Sequence, residues 1–455
     1  MIIRQFFIPG IAHNSYLIGG TRSCLIVDPA RDCEQYLQAA REEEMKISGI
    51  LQTHLHADFV SGHMDLAAMT GAPIFAPKKG TCIFPHTPVS EGSVIEIDDL
   101  RVDCIETPGH TPEHVSYILT DKSRGNRPVA VFCGDTLFVG DVGRPDLFPG
   151  RAEELSLALF SSLHEKLLSL PDYCEVFPAH GAGSLCGRSI STKRSSTIGY
   201  EREFNGPVAI SDPDEFTRHL TTDMPPAPDH FSRCTEINRK GPKVMNSLPA
   251  PKALTPDQLR TVIDEQSADI VDLRRYDAFG GIHIPGSWSV NSEANFSTFA
   301  GWTLPFDRDL ILVGQNTDQI TSATLMLHRV GLDRITGYLS GGMQAYTFAG
   351  YPCDHIRIIS VHDLAVMRKE LKNLQILDVR TGAEYGRYHI PGSVNILWAD
   401  LRNRSFELDP EYPIAVICGS GVRSGMACSI LKRNGYHNLY NVAGGNSAWI
   451  AAGLE

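Results

Sequence analysis

Four short polar motifs occur in residues 1–200, and each follows a run of residues that predicts a buried strand. The first motif, Thr53-His-Leu-His-Ala-Asp, comes after the strand-like run 47–52 and before a helix-like run. Loops at strand ends, held by a rigid scaffold, are where α/β folds place their chemistry. Because the pattern repeats in order, we expect several strand ends to meet and the front of the chain to be organised around one site.

The motifs supply residue types that bind metal ions. The candidate ligands and their neighbours are His54, His56, Asp58, His110, Asp135 and His180. His54 and His56 alternate along extended backbone, so two imidazoles can reach one ion while Asp58 approaches from the side. A single His-x-His pair is weak evidence, but four motifs at successive strand ends predict a metal centre.

Composition limits the functions that the chain can have. A length of 455 residues predicts two or three domains. The net charge of −12 argues against a nucleic-acid-binding surface. No apolar run approaches the length of a membrane span. Eleven cysteines without CxxC pairs suit a reducing compartment, so we expect a cytoplasmic protein with neither nucleic-acid nor membrane partners.

The coarse pattern of strands and helices divides the chain. Residues 1–220 alternate strand and helix signals, with strand-rich halves and flanking helices that favour two sheets covered by helices. Residues 221–252 are rich in proline and predict an ordered or semi-rigid connector. The remaining 253–455 contain an internal repeat, which predicts two further small domains.

The repeat has a period of roughly 105 residues, longer than that of solenoid repeats. Asp272-Leu-Arg matches Asp378-Val-Arg, and His283-Ile-Pro-Gly matches His389-Ile-Pro-Gly. Each copy alternates β and α signals, so we predict two α/β domains with parallel sheets, at 253–357 and 358–455.

Cys418 ends a buried strand-like run and opens a six-residue loop that closes at Arg423 before a helix. Loop N–H groups and a helix N-terminus stabilise an anion, so we predict a thiol of lowered pKa at Cys418, with Arg423 as a fixed cation for an anionic substrate. The first copy has Gly314 opposite Cys418 and Gln319 opposite Arg423. We therefore expect the first copy to be catalytically silent, serving as a spacer or interface.

These motifs carry a resemblance to known families. His54-x-His-x-Asp58, followed by His110, Asp135 and His180, resembles the metallo-β-lactamase superfamily, whose fold is an αββα sandwich. The sequence Gly134-Asp-Thr-Leu-Phe-Val-Gly-Asp-Val-Gly-Arg-Pro-Asp is similar to that of persulfide dioxygenases. Both repeats look like rhodanese domains, and the six-residue loop from Cys418 through Arg423 has the rhodanese length. The resemblance implies a persulfide on Cys418, with sulfite or thiosulfate as the anion bound beside Arg423. The implied fold class is α/β multidomain, an αββα metallo-β-lactamase sandwich followed by two rhodanese-like domains with parallel sheets.

Two imidazoles and one carboxylate resemble the ligand set of mononuclear non-haem Fe(II) oxygenases, which leaves three coordination positions open. The resemblance implies one Fe(II) per chain, bound by His54, His110 and Asp135. His56, Asp58 and His180 would then orient the ligands and hydrogen-bond bound water. The superfamily's hydrolases have a histidine where this chain has Phe59. That departure weakens a binuclear hydrolase interpretation without excluding it.

Two more residues are singled out near the centre. Arg144 matches the family position that holds the substrate's carboxylate, and its planar fork suits that task; the alternative is an internal ion pair with Asp141 or Asp146. Cys186 follows His180 by six residues. It is either a thiol that receives or relays sulfane sulfur, or a merely buried cysteine.

The resemblance implies a persulfide dioxygenase–rhodanese fusion that detoxifies sulfide. Its partners would be a small-molecule persulfide, O2, and sulfite or thiosulfate, and we expect a homo-oligomer, either a dimer or a tetramer. Two other interpretations stay open. One is a glyoxalase II-type thioester hydrolase fused to a sulfurtransferase, and the other is a non-catalytic sulfur carrier or redox sensor.

Overall fold

The structure is a computed structural model that describes residues 1–245, 248, 250–293 and 295–454. Its described chain divides into two compact units. Unit 1 contains Met1–Leu248 together with His328–Gly331, and unit 2 contains Pro249–Leu327 together with Leu332–Glu455. Three residues of the predicted connector, 246, 247 and 249, lie outside the described residues.

Unit 1 contains two large sheets. The first has the order β1-β2-β3-β4-β5-β6, with strands β1 (Ile2–Ile8), β2 (His13–Gly19), β3 (Ser23–Val27), β4 (Lys46–Leu51), β5 (Ile74–Pro77) and β6 (Thr87–Val89). The second has the order β14-β13-β10-β9-β8-β7, with strands β7 (Val94–Ile97), β8 (Leu100–Glu106), β9 (Val115–Asp121), β10 (Ala130–Gly134), β13 (Glu175–Pro178) and β14 (Ser196–Thr197). A small ribbon pairs β11 (Leu137–Phe138) with β12 (Asp141–Val142).

Helices cover both outer faces of these sheets. They are α1 (Glu34–Glu42), α2 (His63–Thr70), α3 (Ala152–Ser161), α4 (Ile198–Phe204), α5 (Pro213–Thr221) and α6 (His230–Lys240). Apolar residues of the first sheet pack against α1 and α2, and those of the second sheet pack against α3 and α5. The predicted αββα layering is therefore confirmed.

The layer between the two sheets is the main apolar core of unit 1. It contains alternate residues of facing strands, including Tyr16, Leu25, Leu51, Val102, Tyr117 and Phe132. The side chains of successive strand residues point to opposite faces, so the remaining apolar residues meet the helices. This packing fixes the strands rigidly and, with them, the loops that follow each strand.

Unit 2 contains two five-stranded sheets that repeat one topology, and all their strand pairs are parallel. The first sheet has the order β15-β19-β18-β16-β17, with strands β15 (Lys252–Leu254), β16 (Ala268–Asp272), β17 (Trp288–Ser289), β18 (Asp309–Val313) and β19 (Ile335–Leu339). The second has the order β20-β24-β23-β21-β22, with strands β20 (Arg357–Ile359), β21 (Gln375–Asp378), β22 (Val394–Asn395), β23 (Ile414–Ile417) and β24 (Leu439–Val442).

Helices connect these parallel strands, as a parallel sheet requires, and a last helix follows β24. They are α7 (Pro256–Asp264), α8 (Tyr276–Gly281), α9 (Phe296–Thr303), α10 (Thr317–Arg329), α11 (Gly342–Phe348), α12 (Val361–Glu370), α13 (Gly382–Arg387), α14 (Leu401–Arg404), α15 (Val422–Arg433) and α16 (Gly445–Ala451). The predicted fold class is thus confirmed for both halves of the chain.

The corresponding first helices of the two repeats start in the same way. Thr255 caps α7 and Ser360 caps α12, each through a reciprocal capping box with the residue three positions later. Such a box satisfies two backbone N–H groups that a helix otherwise leaves without partners. The repeat therefore extends from the sequence motifs to the local hydrogen bonds that begin each helix.

The predicted connector 221–252 contains a helix, α6, and this helix belongs to unit 1. Phe231 and Cys234 on α6 are buried. The described part of this segment therefore carries ordered, packed structure, and the predicted domain boundaries stay predictions. In the part of the chain that is described, no helix is long and apolar enough to cross a membrane.

We predict that Phe132→Ala destabilises unit 1 by about 3–5 kcal/mol, because it removes a buried ring from the layer between the sheets. Phe132 is 1% exposed and packs against Tyr16 and Phe177. Phe204, 66% exposed, provides the matched control, whose replacement by alanine we expect to cost less than about 0.5 kcal/mol. Denaturant unfolding of the two variants measures the difference, and equal losses would contradict the assignment of this core.

Candidate metal centre and sulfur-transfer loop

The predicted metal-binding residues lie where strands of both large sheets end. β4 ends at Leu51, and the loop after it carries His54 and His56. β10 leads into Asp135 and β13 leads into His180. Since β10 and β13 pair in parallel, their carboxyl ends lie at the same edge of their sheet, and residues distant in sequence come together there.

His54, His110 and Asp135 converge in a buried cluster in which one ligand atom from each lies within 4.8 Å of the others. Asp135 Oδ2 lies 3.3 Å from His110 Nε2 and 3.7 Å from His54 Nε2. Both Nε2 atoms are buried and have no hydrogen-bond partner among the described residues. Buried polar atoms normally have partners, so two orphaned nitrogens facing one carboxylate oxygen fit a bound metal ion.

The other ring nitrogens determine which nitrogen faces the cluster. His110 Nδ1 lies 3.0 Å from the carbonyl oxygen of Arg144, to which it can only donate. His54 Nδ1 lies 2.8 Å from the hydroxyl of Thr53, which itself donates to Asp28. Burial lowers the pKa of both His54 and His110. Both rings are therefore neutral and present an unprotonated Nε2, the form that binds metals.

Asp135 is also paired with a third imidazole. His180 Nδ1 lies 2.7 Å from Asp135 Oδ1, and His180 Nε2 lies 2.9 Å from Asp58 Oδ2. Burial by itself raises the pKa of Asp135, but the adjacent His180 outweighs it and holds that pKa well below its usual range. Burial likewise disfavours a charged His180, yet the two carboxylates raise its pKa well above the ordinary value. The carboxylate needed as a ligand is thus ionised.

Asp28, which the sequence reasoning missed, organises the first motif. Its carboxylate accepts hydrogen bonds from the N–H and the hydroxyl of Thr53, both at 2.8 Å, and lies 3.3 Å from His56 Nε2. Asp28 directly follows β3, so it obeys the same rule as the predicted residues. An acid at the end of an apolar strand was the signal that could have identified it.

His13 is a second missed residue. It begins β2, bridges to His180 through the backbone, and forms a cluster with His56 and His180 in which the ligand atoms lie within 4.8 Å of one another. The ring of Phe59 is fully buried, with its centroid 4.2 Å from that of His13 and 4.5 Å from that of His56. Phe59 therefore contributes apolar packing to this side of the centre and no ligand.

His56, Asp58 and His180, predicted to orient the ligands, all lie at this centre. Their orienting role stays a prediction. A further residue that sequence reasoning missed, Asn238 of α6, holds the loop that carries them. Its side-chain amide donates to the carbonyl oxygens of His56 and Phe59 at 2.8 Å and accepts from the N–H of Ser61.

Arg144 does not have the arrangement expected for binding a substrate carboxylate. Its guanidinium donates to both oxygens of Asp146, at 2.6 and 2.7 Å, and to the carbonyl oxygens of Leu185 and Pro225. The side chain is 1% exposed. The structure therefore has the internal ion pair that the sequence left as the alternative, and the fork of Arg144 is occupied. Arg144 still contributes to the centre, because its carbonyl oxygen orients His110.

Cys186 lies beside the candidate metal centre. Its Sγ clusters with ligand-type atoms of Asp58 and His180 within 4.8 Å. Burial, reinforced by the charges of Asp58 and Asp135, raises the pKa of this thiol well above its usual value. Cys186 is therefore protonated in this arrangement, and its part in sulfur transfer stays a prediction.

The second site is the loop that follows β23. Cys418 is buried, and its Sγ accepts the N–H of Gly421 at 3.1 Å and the hydroxyl of Ser424 at 3.4 Å. Gly421 adopts a φ of 105°, which a residue with a side chain rarely adopts, and this conformation starts α15. The loop therefore directs hydrogen-bond donors at the sulfur, as the sequence predicted.

Arg423 forms an ion pair that the sequence reasoning missed. Its two terminal nitrogens donate to the two oxygens of Glu384, both at 2.7 Å. Burial alone raises the pKa of Glu384, but the Arg423 guanidinium outweighs it and lowers that pKa to about 2. Arg423 is consequently a cation fixed in place, whose charge is balanced by Glu384.

The first repeat, residues 253–357, which is predicted to be catalytically silent and is called the silent repeat below, lacks both members of this pair. Continuing the match of Asp272 with Asp378 places Ala278 opposite Glu384, while Gln319 stands opposite Arg423. The Gln319 side chain instead accepts the N–H of Gln315 and donates to the carbonyl oxygen of Leu273. The first repeat therefore has neither the nucleophile nor the charge pair of the second.

Comparisons with known proteins agree with this division. The metallo-beta-lactamase superfamily model matches residues 8–180, and the rhodanese-like domain model matches residues 255–349 and 360–452. A metallo-beta-lactamase from Staphylococcus aureus subsp. aureus COL, solved as a crystal structure, has a TM-score of 0.68 and 32% identity. That match covers 74% of this chain and 98% of the other.

Two curated relatives cover the front of the chain. The mitochondrial persulfide dioxygenase ETHE1 of Bos taurus is 27% identical over 245 residues, which are 53% of this chain and 88% of the relative. A hydroxyacylglutathione hydrolase of Prochlorococcus marinus (strain MIT 9211) is 38% identical over 161 residues, which are 34% of this chain and 60% of the relative.

Both halves thus carry homology to proteins that handle sulfur compounds, and their order along the chain is that of a fusion. The chain belongs to the metallo-β-lactamase superfamily, as an N-terminal domain homologous to persulfide dioxygenases that is followed by two rhodanese-like domains.

Proposed function

We propose that the front domain oxidises a low-molecular-weight thiol persulfide with O2, and that Cys418 transfers sulfur to the sulfite produced. The observation that carries the proposal is the cluster of His54, His110 and Asp135, in which two buried Nε2 atoms face one carboxylate. The homology to persulfide dioxygenases over 88% of a relative supports it. The cellular role would be the detoxification of sulfide.

His54, His110 and Asp135 would hold one Fe(II). The bound iron would supply the redox chemistry, which zinc lacks. The overall reaction is R-S-SH + O2 + H2O → R-SH + SO3²⁻ + 2H⁺, in which the terminal sulfur loses four electrons and O2 gains them. Phe59 supports one ion over two, because its ring cannot supply the extra imidazole of a binuclear hydrolase.

The surrounding residues hold the loop that carries the candidate ligands. Asp28 fixes Thr53 and faces His56, and Asn238 holds the loop between His56 and Ser61. Rigid outer partners of this kind orient metal ligands. His180 and Asp58 form a charged pair, with 2.9 Å between Nε2 and Oδ2, that can hydrogen-bond water entering the reaction.

The rhodanese site would complete the sequence in two balanced steps. The Cys418 thiolate attacks the terminal sulfur of R-S-SH, the S–S bond breaks, and R-S⁻ leaves, so that Cys418 becomes a persulfide. Sulfite then attacks the terminal sulfur of Cys418-S-S⁻, which gives thiosulfate and regenerates the thiolate. Joining the two sites in one chain raises the sulfite concentration available to Cys418.

A thioester hydrolase is the second candidate, because a hydroxyacylglutathione hydrolase is 38% identical to part of the front domain. The two candidates differ in their metal content and in their need for O2. Metal analysis combined with an oxygen electrode therefore separates them in one experiment.

We predict that His110→Ala removes iron and abolishes persulfide-dependent O2 uptake. The loss should exceed the roughly 10–100-fold typical of an outer partner, since a ligand itself is removed. His219→Ala is the matched control, because His219 is exposed on α5. Purified protein is analysed for metals and given a small persulfide in an oxygen electrode. Two zinc ions and thioester hydrolysis in the wild type would establish the hydrolase instead.

We predict that Cys418→Ser shifts the product from thiosulfate to sulfite, because the front domain still oxidises persulfide but sulfur transfer stops. Cys353→Ser, which changes a half-buried cysteine of unit 2, should leave the ratio of the two products unchanged. Ion chromatography measures both anions after correction for their spontaneous reaction. An unchanged thiosulfate yield in Cys418→Ser would remove the relay from the proposal.

The Arg423–Glu384 pair should stabilise unit 2 in a pH-dependent way. The folded-state pKa of Glu384 is lowered from 4.5 to about 2, so its stabilising effect is complete above the unfolded value and disappears as pH falls towards 2. We therefore expect the difference in unfolding midpoint between wild type and Glu384→Gln to shrink as the pH is lowered from about 6 to 3.

Thermal unfolding at several pH values tests this expectation. Glu411→Gln changes an exposed glutamate of the same repeat and should show little difference at any pH. A Glu384→Gln difference that stayed constant down to about pH 3 would mean that the ion pair is not its source.

A further inference from the structure

The silent repeat, 253–357, places one of its side chains against the loop of Cys418. The residue is Tyr276, the first residue of α8, and it is half-buried. A Cβ added to Gly421 would lie 2.8 Å from Tyr276 Cζ and 3.1 Å from its Oη. Cβ atoms are almost never found within 3 Å of a heavy atom from a residue that is not their chain neighbour. The ring of Tyr276 and the backbone of Gly421 are therefore in close contact.

A second glycine, one turn further along α15, shows that α8 and α15 are equally close there. A Cβ added to Gly425, on α15, would lie 2.7 Å from Tyr276 Cβ. Glycine within a helix costs about 1 kcal/mol relative to alanine, and at this position it makes room for α8. Gly421 and Gly425 therefore form the surface on which Tyr276 lies.

Gly421 contacts both Tyr276 and the sulfur of Cys418. Its N–H donates to Cys418 Sγ at 3.1 Å, while its carbonyl oxygen accepts from Asn441 Nδ2 at 3.2 Å. Asn441 also accepts the hydroxyl of Ser424. The loop is consequently held by hydrogen bonds with Asn441 and by packing against the ring of Tyr276.

The silent repeat holds Tyr276 rigidly. Arg274, two residues earlier, donates to both oxygens of Asp272 and to the carbonyl oxygen of Ile282, just after α8. Further contacts fix α15 to the same repeat: the N–H of Ser289 donates to the hydroxyl of Ser429. These anchors give Tyr276 a defined position against the loop.

The active repeat has no equivalent side chain that could pack against the corresponding loop of the silent repeat. In the internal repeat, the position of Tyr276 corresponds to Gly382 in the active repeat, which has no side chain. The two repeats have therefore diverged in complementary ways: one has the nucleophile, and the other has a ring that packs on the nucleophile's loop.

We propose that Tyr276 is a positioning residue for sulfur transfer, which fixes Gly421 so that its N–H points at Cys418 Sγ. The silent repeat is then a working part of the sulfur-transfer site and not only a spacer. This inference rests on the proposed role of Cys418 as the sulfur carrier. Ring carbons and the hydroxyl oxygen both lie near the loop, and the hydroxyl forms no hydrogen bond among the described residues, so we expect packing to provide the contact.

The test compares Tyr276→Ala and Tyr276→Phe in the full chain. Sulfur transfer from thiosulfate to cyanide is measured in single turnovers, and alkylation of the Cys418 peptide is followed by mass spectrometry between about pH 6 and 9. We expect Tyr276→Ala to slow transfer about 10-fold, because small displacements of aligned groups have effects of this order, and to require a higher pH for alkylation. Tyr276→Phe should stay within about twofold of wild type on both measurements.

Tyr412→Ala is the control, since Tyr412 is an exposed tyrosine of the active repeat, and it should leave both measurements unchanged. If Tyr276→Ala does not fold, Tyr276→Leu keeps an apolar side chain on α8 that still packs against α15. This variant should show the same two changes in smaller degree. A correctly folded Tyr276→Ala or Tyr276→Leu with the transfer rate and pH profile of wild type would overturn the inference, as would a Tyr276→Phe variant as slow as Tyr276→Ala. A wild type that accepts no sulfur would instead refute the proposed carrier role, while the alkylation profile would still test Tyr276.

Discussion

The buried carboxylate of Asp135 is the group on which the front domain's site depends. Three imidazoles approach it, those of His54, His110 and His180. An ionised carboxylate without partners is costly to bury, so this residue is stable only where the strand ends meet. The same convergence leaves two Nε2 atoms without a donor and facing one oxygen. The arrangement that permits burial of Asp135 is thus the arrangement that suits a metal ion.

Much of this centre could be predicted from the sequence because the relevant signal is local. A polar residue after an apolar strand run marks His54, His110, Asp135 and His180, and a rigid sandwich brings such positions together. Asp28 obeys the same rule and was missed only because it lies in no histidine motif. The local pattern therefore predicted the ligands better than it predicted the groups that hold them.

The residues that could not be predicted act across long stretches of chain. Asn238 reaches the loop of His56 from a segment that reads as a connector, and Glu384 meets Arg423 from a different helix. No periodicity or spacing in the sequence encodes such pairs. For Arg144 the sequence left a choice between two partners, a substrate carboxylate and an internal acid. In the structure its guanidinium pairs with Asp146. The choice depended on burial, which a single sequence does not report.

Some ion pairs are present in both repeats, and one is present only in the repeat that contains Cys418. Arg274 with Asp272 and Arg380 with Asp378 form the same fork, each closed by a carbonyl oxygen beyond the next helix. These pairs are nearly buried and support the sheet, so both copies retain them. The Arg423–Glu384 pair serves only the loop of the nucleophile, and in the silent repeat its positions hold Gln319 and Ala278.

The balance of charge at Cys418 bears on how an anion is recognised there. The chain has a net charge of −12, and the charge of Arg423 is matched by Glu384. A doubly charged anion such as sulfite would therefore meet little excess positive charge at this loop. Its binding then depends on directed N–H groups and on the N-terminus of α15, whose contribution falls steeply when their geometry is disturbed. A site that recognises its anion by orientation rather than by net charge needs a loop that is held firmly, and Asn441 and Tyr276 both contact this loop.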